Sequence, residues 1–188
     1  MRAVTREAAL QPETWTPDRA ESIEEFFDNV ALTWDPDDKA QRLDVVQDAL
    51  ARGGVARGGL AVDVGAGTGL VVPALDEWFD HTVALDLSFE MLVRAPASPA
   101  PRVQADAARL PLRAGSAAAL VLVNAFLFPA EVERVLRPGG ALVWVCTLGA
   151  DTPIYLSAEE VDLALGRTWP GAESEAGWGT WAVFTKPA

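Results

Sequence analysis

LAVDVGAGTGL, residues 60–70, joins an apolar run to an acid at Asp63, three glycines at Gly65, Gly67 and Gly69, and a second apolar stretch. That order describes a buried strand, a turn built of backbone, and a helix whose N-terminus faces whatever the turn holds. The spacing decides among the glycine-rich turns. The dinucleotide fingerprint G-x-G-x-x-G needs a third small residue for close helix–sheet packing, and counting from Gly65 puts Leu70 there. A triphosphate cradle needs Gly-Lys-Ser/Thr after the turn, and no lysine stands between Asp63 and Asp86. What remains is D-x-G-x-G-x-G, in which the glycines let a ligand lie against the backbone. A strand–turn–helix without a ligand is the plain alternative.

Further along, residues 82–88 read TVALDLS, a second apolar run ending in an acid, Asp86. Asp86 follows Gly65 by 21 residues (86 minus 65), the distance at which an acid after a second strand reaches a ribose and accepts from both hydroxyls. VQADAARLPL (103–112) then brings Asp106 and Ala107, and ALVLVNAFLF (119–128) reads as a fully buried strand ending at Asn124. In RVLRPGGALVWV (134–145) the proline stops a helix and the glycines supply positive backbone angles before another strand. Strands alternating with helices at short intervals through residue 147 predict a parallel sheet covered on both faces.

Over residues 60–145 these segments, in this order, resemble the motifs of the class I S-adenosylmethionine-dependent methyltransferases. The resemblance implies an α/β fold: a doubly wound, mostly parallel seven-stranded sheet of the Rossmann-like methyltransferase type, with N-terminal helices as a lid and an antiparallel last strand inserted beside the fifth. It also implies S-adenosylmethionine as cofactor and S-adenosylhomocysteine as product. Asp63, Gly65, Ala66, Gly67 and Gly69 would hold the methionine half, and Asp86 the ribose. Leu87 and Met91 would lie against the adenine, the latter in an S-x-x-M-L pattern with Ser88 and Leu92. Asp106 and the Ala107 N–H would meet the adenine edge, and Asn124 would close the cofactor site. FFDNVALTWDPD (26–37) resembles the lid helix of a small-molecule branch that includes quinone C-methyltransferases. That branch often has a tyrosine where Trp34 stands; tryptophan donates through its ring nitrogen but cannot accept.

The implied reaction transfers a methyl group to oxygen, nitrogen or carbon of a small apolar or aromatic acceptor. Well-oriented in-line displacements reach effective molarities of about 10⁵–10⁸ M, so a general base is optional. Phe26, Phe27, Trp34, Phe126 and Phe128 suit such an acceptor. Tyr155, the only tyrosine, and Asn124 are the candidates for hydrogen bonding or proton carriage, whereas the only histidine, His81, precedes the second strand, away from the cofactor. Two other functions stay open: a cofactor-binding protein without methyl transfer, as a regulatory or partner subunit, and a non-methylating enzyme using the same cofactor, such as a cyclase. From Asn124 to Leu136 is 12 residues (136 minus 124), short for the family. That leaves a shallow acceptor pocket, one completed by a second subunit as in a homodimer, or one filled by a large partner.

The 188 residues, half of them hydrophobic, suit one domain. Within it, 1–54 supply the N-terminal helices and lid, 55–148 the cofactor-binding core, and 149–188 a C-terminal helix and antiparallel strands. A Ser22-x-x-Glu25 capping box predicts a helix over Ser22–Leu32, and Leu43, Val46, Ala49 and Leu50 mark one face of a second over Asp37–Ala51. In the tail, Ser157 caps a further helix and WAVFT (181–185) reads as a strand. The net charge of −12 repels phosphate backbones, so a small-molecule substrate is expected and a nucleic acid is not. Lone Cys146 lies in an apolar strand as a small hydrophobe, and no metal is implied. Neither a membrane-length apolar run nor a signal-peptide core is present, which predicts a soluble, cytoplasmic protein without membrane insertion.

Overall fold

The computed structural model describes residues 1–34 and 39–188. Three helices, α1 (Arg2–Leu10), α2 (Pro17–Val30) and α3 (Lys39–Arg52), precede β1 (Leu60–Val64). There follow α4 (Val72–Asp76), β2 (His81–Asp86), α5 (Phe89–Arg94), β3 (Arg102–Gln104), β4 (Ala117–Val123), α6 (Pro129–Val135) and β5 (Leu136–Cys146). The chain closes with α7 (Ala158–Ala164), β6 (Gly171–Ala176) and β7 (Gly179–Thr185). The seven strands form one sheet in the order β3-β2-β1-β4-β5-β7-β6. Strands β1 to β5 are parallel, and β7 pairs antiparallel with β5 and with the edge strand β6. This is the doubly wound seven-stranded arrangement anticipated above.

Side-chain alternation divides the core between the two faces of the sheet. Val62 and Val64, Leu120 and Leu122, and Leu142 and Trp144 face one side with Val132, Val161 and Trp169. Ala61, Ala119, Val121, Val143 and Val145 face the other, under Val45, Val46, Ala49 and Leu50 of α3. Each large aliphatic side chain so buried contributes about 1.5–3 kcal/mol, which makes the central strands the rigid platform for what projects from their ends. The open edge beyond Val64, Asp86 and Val123 is where the sheet changes direction between β1 and β4, the position at which such sheets hold ligands.

Several boundaries depart from expectation. Helix α2 begins at Pro17, because Thr16 caps it by accepting from Arg19 N at 3.3 Å and Pro17 fits the first turn. Ser22 therefore lies inside the helix and donates back to Asp18 O at 2.9 Å instead of forming a capping box. Helix α1 had no expectation of its own; its small residues Thr5, Ala8 and Ala9 are buried. The proposed start of the next helix at Asp37 lies outside the described residues. Arg137-Pro138-Gly139-Gly140 is taken into the start of β5 as a bulge: five residue steps from Leu136 to Ala141 oppose two from Ala117 to Ala119.

The C-terminal expectations match more closely. Ser157 forms a full capping box with Glu160 at the head of α7, and β7 inserts beside β5 with Val143 opposite Val183. Cys146 is fully buried, and burial pushes its thiol up to about 12. Among the described residues no helix is long and apolar enough to cross a membrane. Nor, among them, do three or more His, Cys, Asp or Glu side chains gather where a metal ion could be held.

Candidate active site

The glycine turn leaves β1 at the centre of the sheet, and the amides of Gly65, Ala66, Gly67 and Gly69 are already engaged. Gly65 N and Ala66 N both donate to Leu85 O, at 2.8 and 2.9 Å, Gly67 N donates to Asp86 Oδ2 at 2.7 Å, and Gly69 N to Ala66 O at 2.8 Å. A phosphate-binding turn aims such N–H groups at the anion; this one turns them onto its own strands. Gly65 has φ +72°, and a Cβ there would stand 2.7 Å from Ala125 Cβ, so the close approach of the β1 and β4 ends requires glycine. The helix that follows starts only at Val72 and runs five residues, so the expected helix N-terminus facing the ligand is replaced by the turn itself.

Three carboxylates stand at successive strand ends. Asp63 is buried in β1 and its Oδ2 has no hydrogen-bond partner; burial, reinforced by the charge of Asp86, pushes its pKa up to about 8. An unpaired buried carboxylate oxygen costs free energy that a cationic or amino donor would recover. Asp86, at the end of β2, accepts from Gly67 N and, through Oδ1, from Ser88 N at 2.8 Å. Burial raises its pKa too, against the pull of those backbone donors. Asp106 caps a 3-10 turn by accepting from Ala108 N at 2.8 Å on Oδ1, and its Oδ2 accepts from the indole N–H of Trp15 at 3.0 Å.

These acids line a cleft of about 130 Å³. Of the residues singled out from sequence, it gathers Asp63, Gly65, Ala66, Gly67, Asp86, Leu87, Met91, Asp106, Ala107 and Asn124, and from the aromatic set Phe27, Trp34, Phe126 and Phe128. Trp34 reaches the turn directly: its Nε1 lies 3.5 Å from where a Gly67 Cβ would be. Asn124, with φ 51°, clamps β4 to β5: its Nδ2 donates to Thr147 Oγ1 at 2.8 Å and its Oδ1 accepts from Thr147 N at 2.9 Å. The amide proposed for proton carriage is thus committed to holding two strand ends together.

Three of the residues singled out from sequence lie outside the cleft. Gly69 does not line the cleft; it faces a separate groove with Pro73, Leu92 and Ala95, since the turn has already curled back at Ala66. Phe26 is 46% exposed and outside the cleft, because adjacent helical residues point about 100° apart and Phe27 takes the inward position. Tyr155 also lies outside: extended chain sends Ile154 into the cleft and Tyr155 into a groove between α7 and the β6–β7 pair, under the guanidinium of Arg2. Trp15, Ile23, Arg42 and Ile154 also line the cleft, without a sequence signal that singled them out.

Residues 62–144 match the family model described as a methyltransferase domain. The chain aligns over 86% of its length, and 98% of the other, with a chain from the complex of the Haloferax volcanii Trm112 methyltransferase activator and a methyltransferase, with a TM-score of 0.73 and 18% identity. This is the methyltransferase fold. A SAM-dependent methyltransferase from Aquifex aeolicus shares it, with a TM-score of 0.68 and 18% identity over 84% of this chain and 97% of that one. At the level of sequence, a 23S rRNA (guanine(748)-N(1))-methyltransferase of Streptomyces fradiae is 40% identical over 90 residues, covering 45% of this chain. The aligned part is 32% of that enzyme, so the match spans about a third of the curated relative's length.

Proposed function

We propose that this chain is an S-adenosylmethionine-dependent methyltransferase acting on a small, flat, apolar or aromatic acceptor. The observation that carries the reading is the glycine turn whose Gly65, Ala66 and Gly67 amides are engaged by Leu85 O and Asp86, set beside three acids at the ends of β1, β2 and the β3 loop. Such a site rejects phosphate and accepts donors: it suits a ligand with an amino group, a ribose diol and an amino-bearing ring, in that order along the strand ends. Asp63 Oδ2 would take the ammonium, Asp86 both ribose hydroxyls, and Asp106 the adenine amino group, with Leu87 and Met91 against the ring. When bound, the cofactor supplies a methyl group on a sulfonium. Phe27, Trp34, Phe126 and Phe128 exclude water and hold the acceptor in contact distance, where orientation supplies most of the acceleration.

The guanine specificity in the name of the Streptomyces relative favours one second reading, a base within RNA. The 27 acids against 15 bases of this chain oppose docking of a phosphate backbone, and support a free small molecule instead. The test is incubation of purified protein with S-adenosylmethionine and a panel of phenols, quinols, amines, carboxylates and ribosomal RNA, with mass spectrometry of the products. Methylated small molecule together with S-adenosylhomocysteine supports the proposal; methylation of RNA alone transfers it to the second reading, and binding without any methylated product removes turnover from both.

A further inference from the structure

Trp15 belongs to neither of the elements expected to form the site, yet it touches two parts of it. It ends the 3-10 turn Pro12–Thr14 between α1 and α2, with its own N–H on Pro12 O at 3.1 Å. That segment is braced at its back: Arg19 Nη1 donates to Glu7 Oε2 at 2.5 Å and to Thr14 Oγ1 at 3.3 Å, tying α1, the turn and α2 together. From this anchored position the indole packs edge-on to Phe128 at 4.9 Å and tilted on Phe126 at 5.4 Å, while its N–H reaches Asp106 Oδ2, 91 residues away in sequence.

We propose that Trp15 is a positioning residue that fixes Asp106 as a hydrogen-bond acceptor for an exocyclic amino group, and so selects the base of the cofactor. This rests on the cofactor reading above and adds to it a residue and a selectivity. An ionised carboxylate has about four acceptor positions, and Ala108 N and Trp15 Nε1 occupy two, one on each oxygen. The capping bond alone leaves Oδ2 free to swing toward water. The indole removes that freedom, and because it can only donate, it holds the carboxylate as an acceptor with a lone pair facing the cleft. A ring bearing an amino group pairs there; a ring bearing a carbonyl oxygen in the same place leaves two acceptors opposed, the arrangement that buried polar sites reject most strongly. The same indole forms the wall shared with Phe126 and Phe128, so the adenine edge and the acceptor side are held by one ring.

Titration calorimetry of the full chain with S-adenosylhomocysteine and with S-inosylhomocysteine, whose base carries oxygen in place of the amino group, tests this. Wild type should prefer the adenine compound by about tenfold or more, since one hydrogen bond to a charged group is lost in the other. Trp15→Phe keeps a ring against Phe126 and Phe128 but has no N–H; it should lose about three- to tenfold in adenine-compound affinity and most of the preference. In an Asp106→Ala background, the same substitution should change nothing further. Thermal unfolding of each variant reports whether the fold is kept. A Trp15→Phe protein with affinity and preference intact overturns the assignment, as does an equal loss for both ligands that persists without Asp106. Wild type that binds neither ligand overturns the cofactor reading, and this one with it.

Discussion

Ser88 donates its hydroxyl hydrogen to Asp28 Oδ1 at 2.5 Å, which joins helix α2, the proposed lid, to the cap of α5. The same Asp28 oxygen accepts from Glu90 N at 3.3 Å, and Ser88 in turn accepts from Met91 N and sends its own N–H to Asp86. One serine thus connects the lid, the helix after β2 and the acid proposed to hold ribose.

Asp28→Ala should detach the lid while leaving the sheet untouched. The two bonds to a charged acceptor are worth about 1.5–3 kcal/mol each in favourable geometry, and part of that is recovered by water once the lid opens. The expected result is a fall of about tenfold in S-adenosylhomocysteine affinity by calorimetry, with faster proteolysis within residues 17–34 and nearly unchanged thermal unfolding. Unchanged affinity together with unchanged proteolysis would show that the latch is incidental.

The buried acid of β1 predicts an inverted pH dependence. Asp63 has its pKa raised by burial to about 8, whereas the unfolded chain has the ordinary value of 3.8, so between these values the unfolded state releases a proton that the native state keeps. Stability of the ligand-free protein from this group is therefore full below pH 3.8 and declines as pH rises to about 8. Asp63→Asn, neutral at every pH, should raise the melting temperature at pH 7.5 and flatten its fall between pH 5 and 8, while weakening binding of S-adenosylhomocysteine. A variant that melts lower than wild type at every pH would contradict this account.

Glycine at 65 is predicted to be irreplaceable, for two additive reasons. Gly65→Ala places a β-carbon at φ +72° and within 2.7 Å of Ala125 Cβ, so strain of about 1–2 kcal/mol is joined by a clash that separates the ends of β1 and β4. Gly54→Ala is the matched control: its φ is +77°, but nothing lies within 4 Å of the added carbon. Chemical denaturation should show Gly65→Ala losing clearly more stability than Gly54→Ala, and only the former losing S-adenosylhomocysteine binding. Equal losses would mean that the Ala125 contact is readily relieved.

The parts of this molecule legible in its sequence are those governed by period and by turn chemistry. Apolar runs that stop at Asp63 and Asp86 mark strands, since a buried run has few other uses, and the ligand edge follows from where they stop. Ser157 and Glu160 announce a helix because both halves of the cap are local. Ser22 and Glu25 carry the same letters without the same result, since Thr16-Pro17 starts the helix first and leaves them in its interior. Trp15 was illegible for a different reason: a single tryptophan in a short turn has no periodicity, and its partner is far away in sequence. Tyr155 illustrates the limit of counting outside regular structure, where a shift of one residue exchanges the cleft for the groove beside α7.

The internally bonded turn also bears on competition among adenine nucleotides. ATP and nicotinamide dinucleotides carry the same adenine and ribose as the proposed cofactor, in great abundance, and acids at Asp86 and Asp106 would recognise those portions equally well. What such nucleotides add is anionic charge at the ribose 5′ position, and there they would meet Asp63 and the turn amides of Gly65, Ala66 and Gly67, already occupied by Leu85 and Asp86. Discrimination therefore falls to groups that contribute no attraction of their own: the committed amides of Gly65, Ala66 and Gly67 turn away a crowd of look-alikes that the acids would otherwise admit.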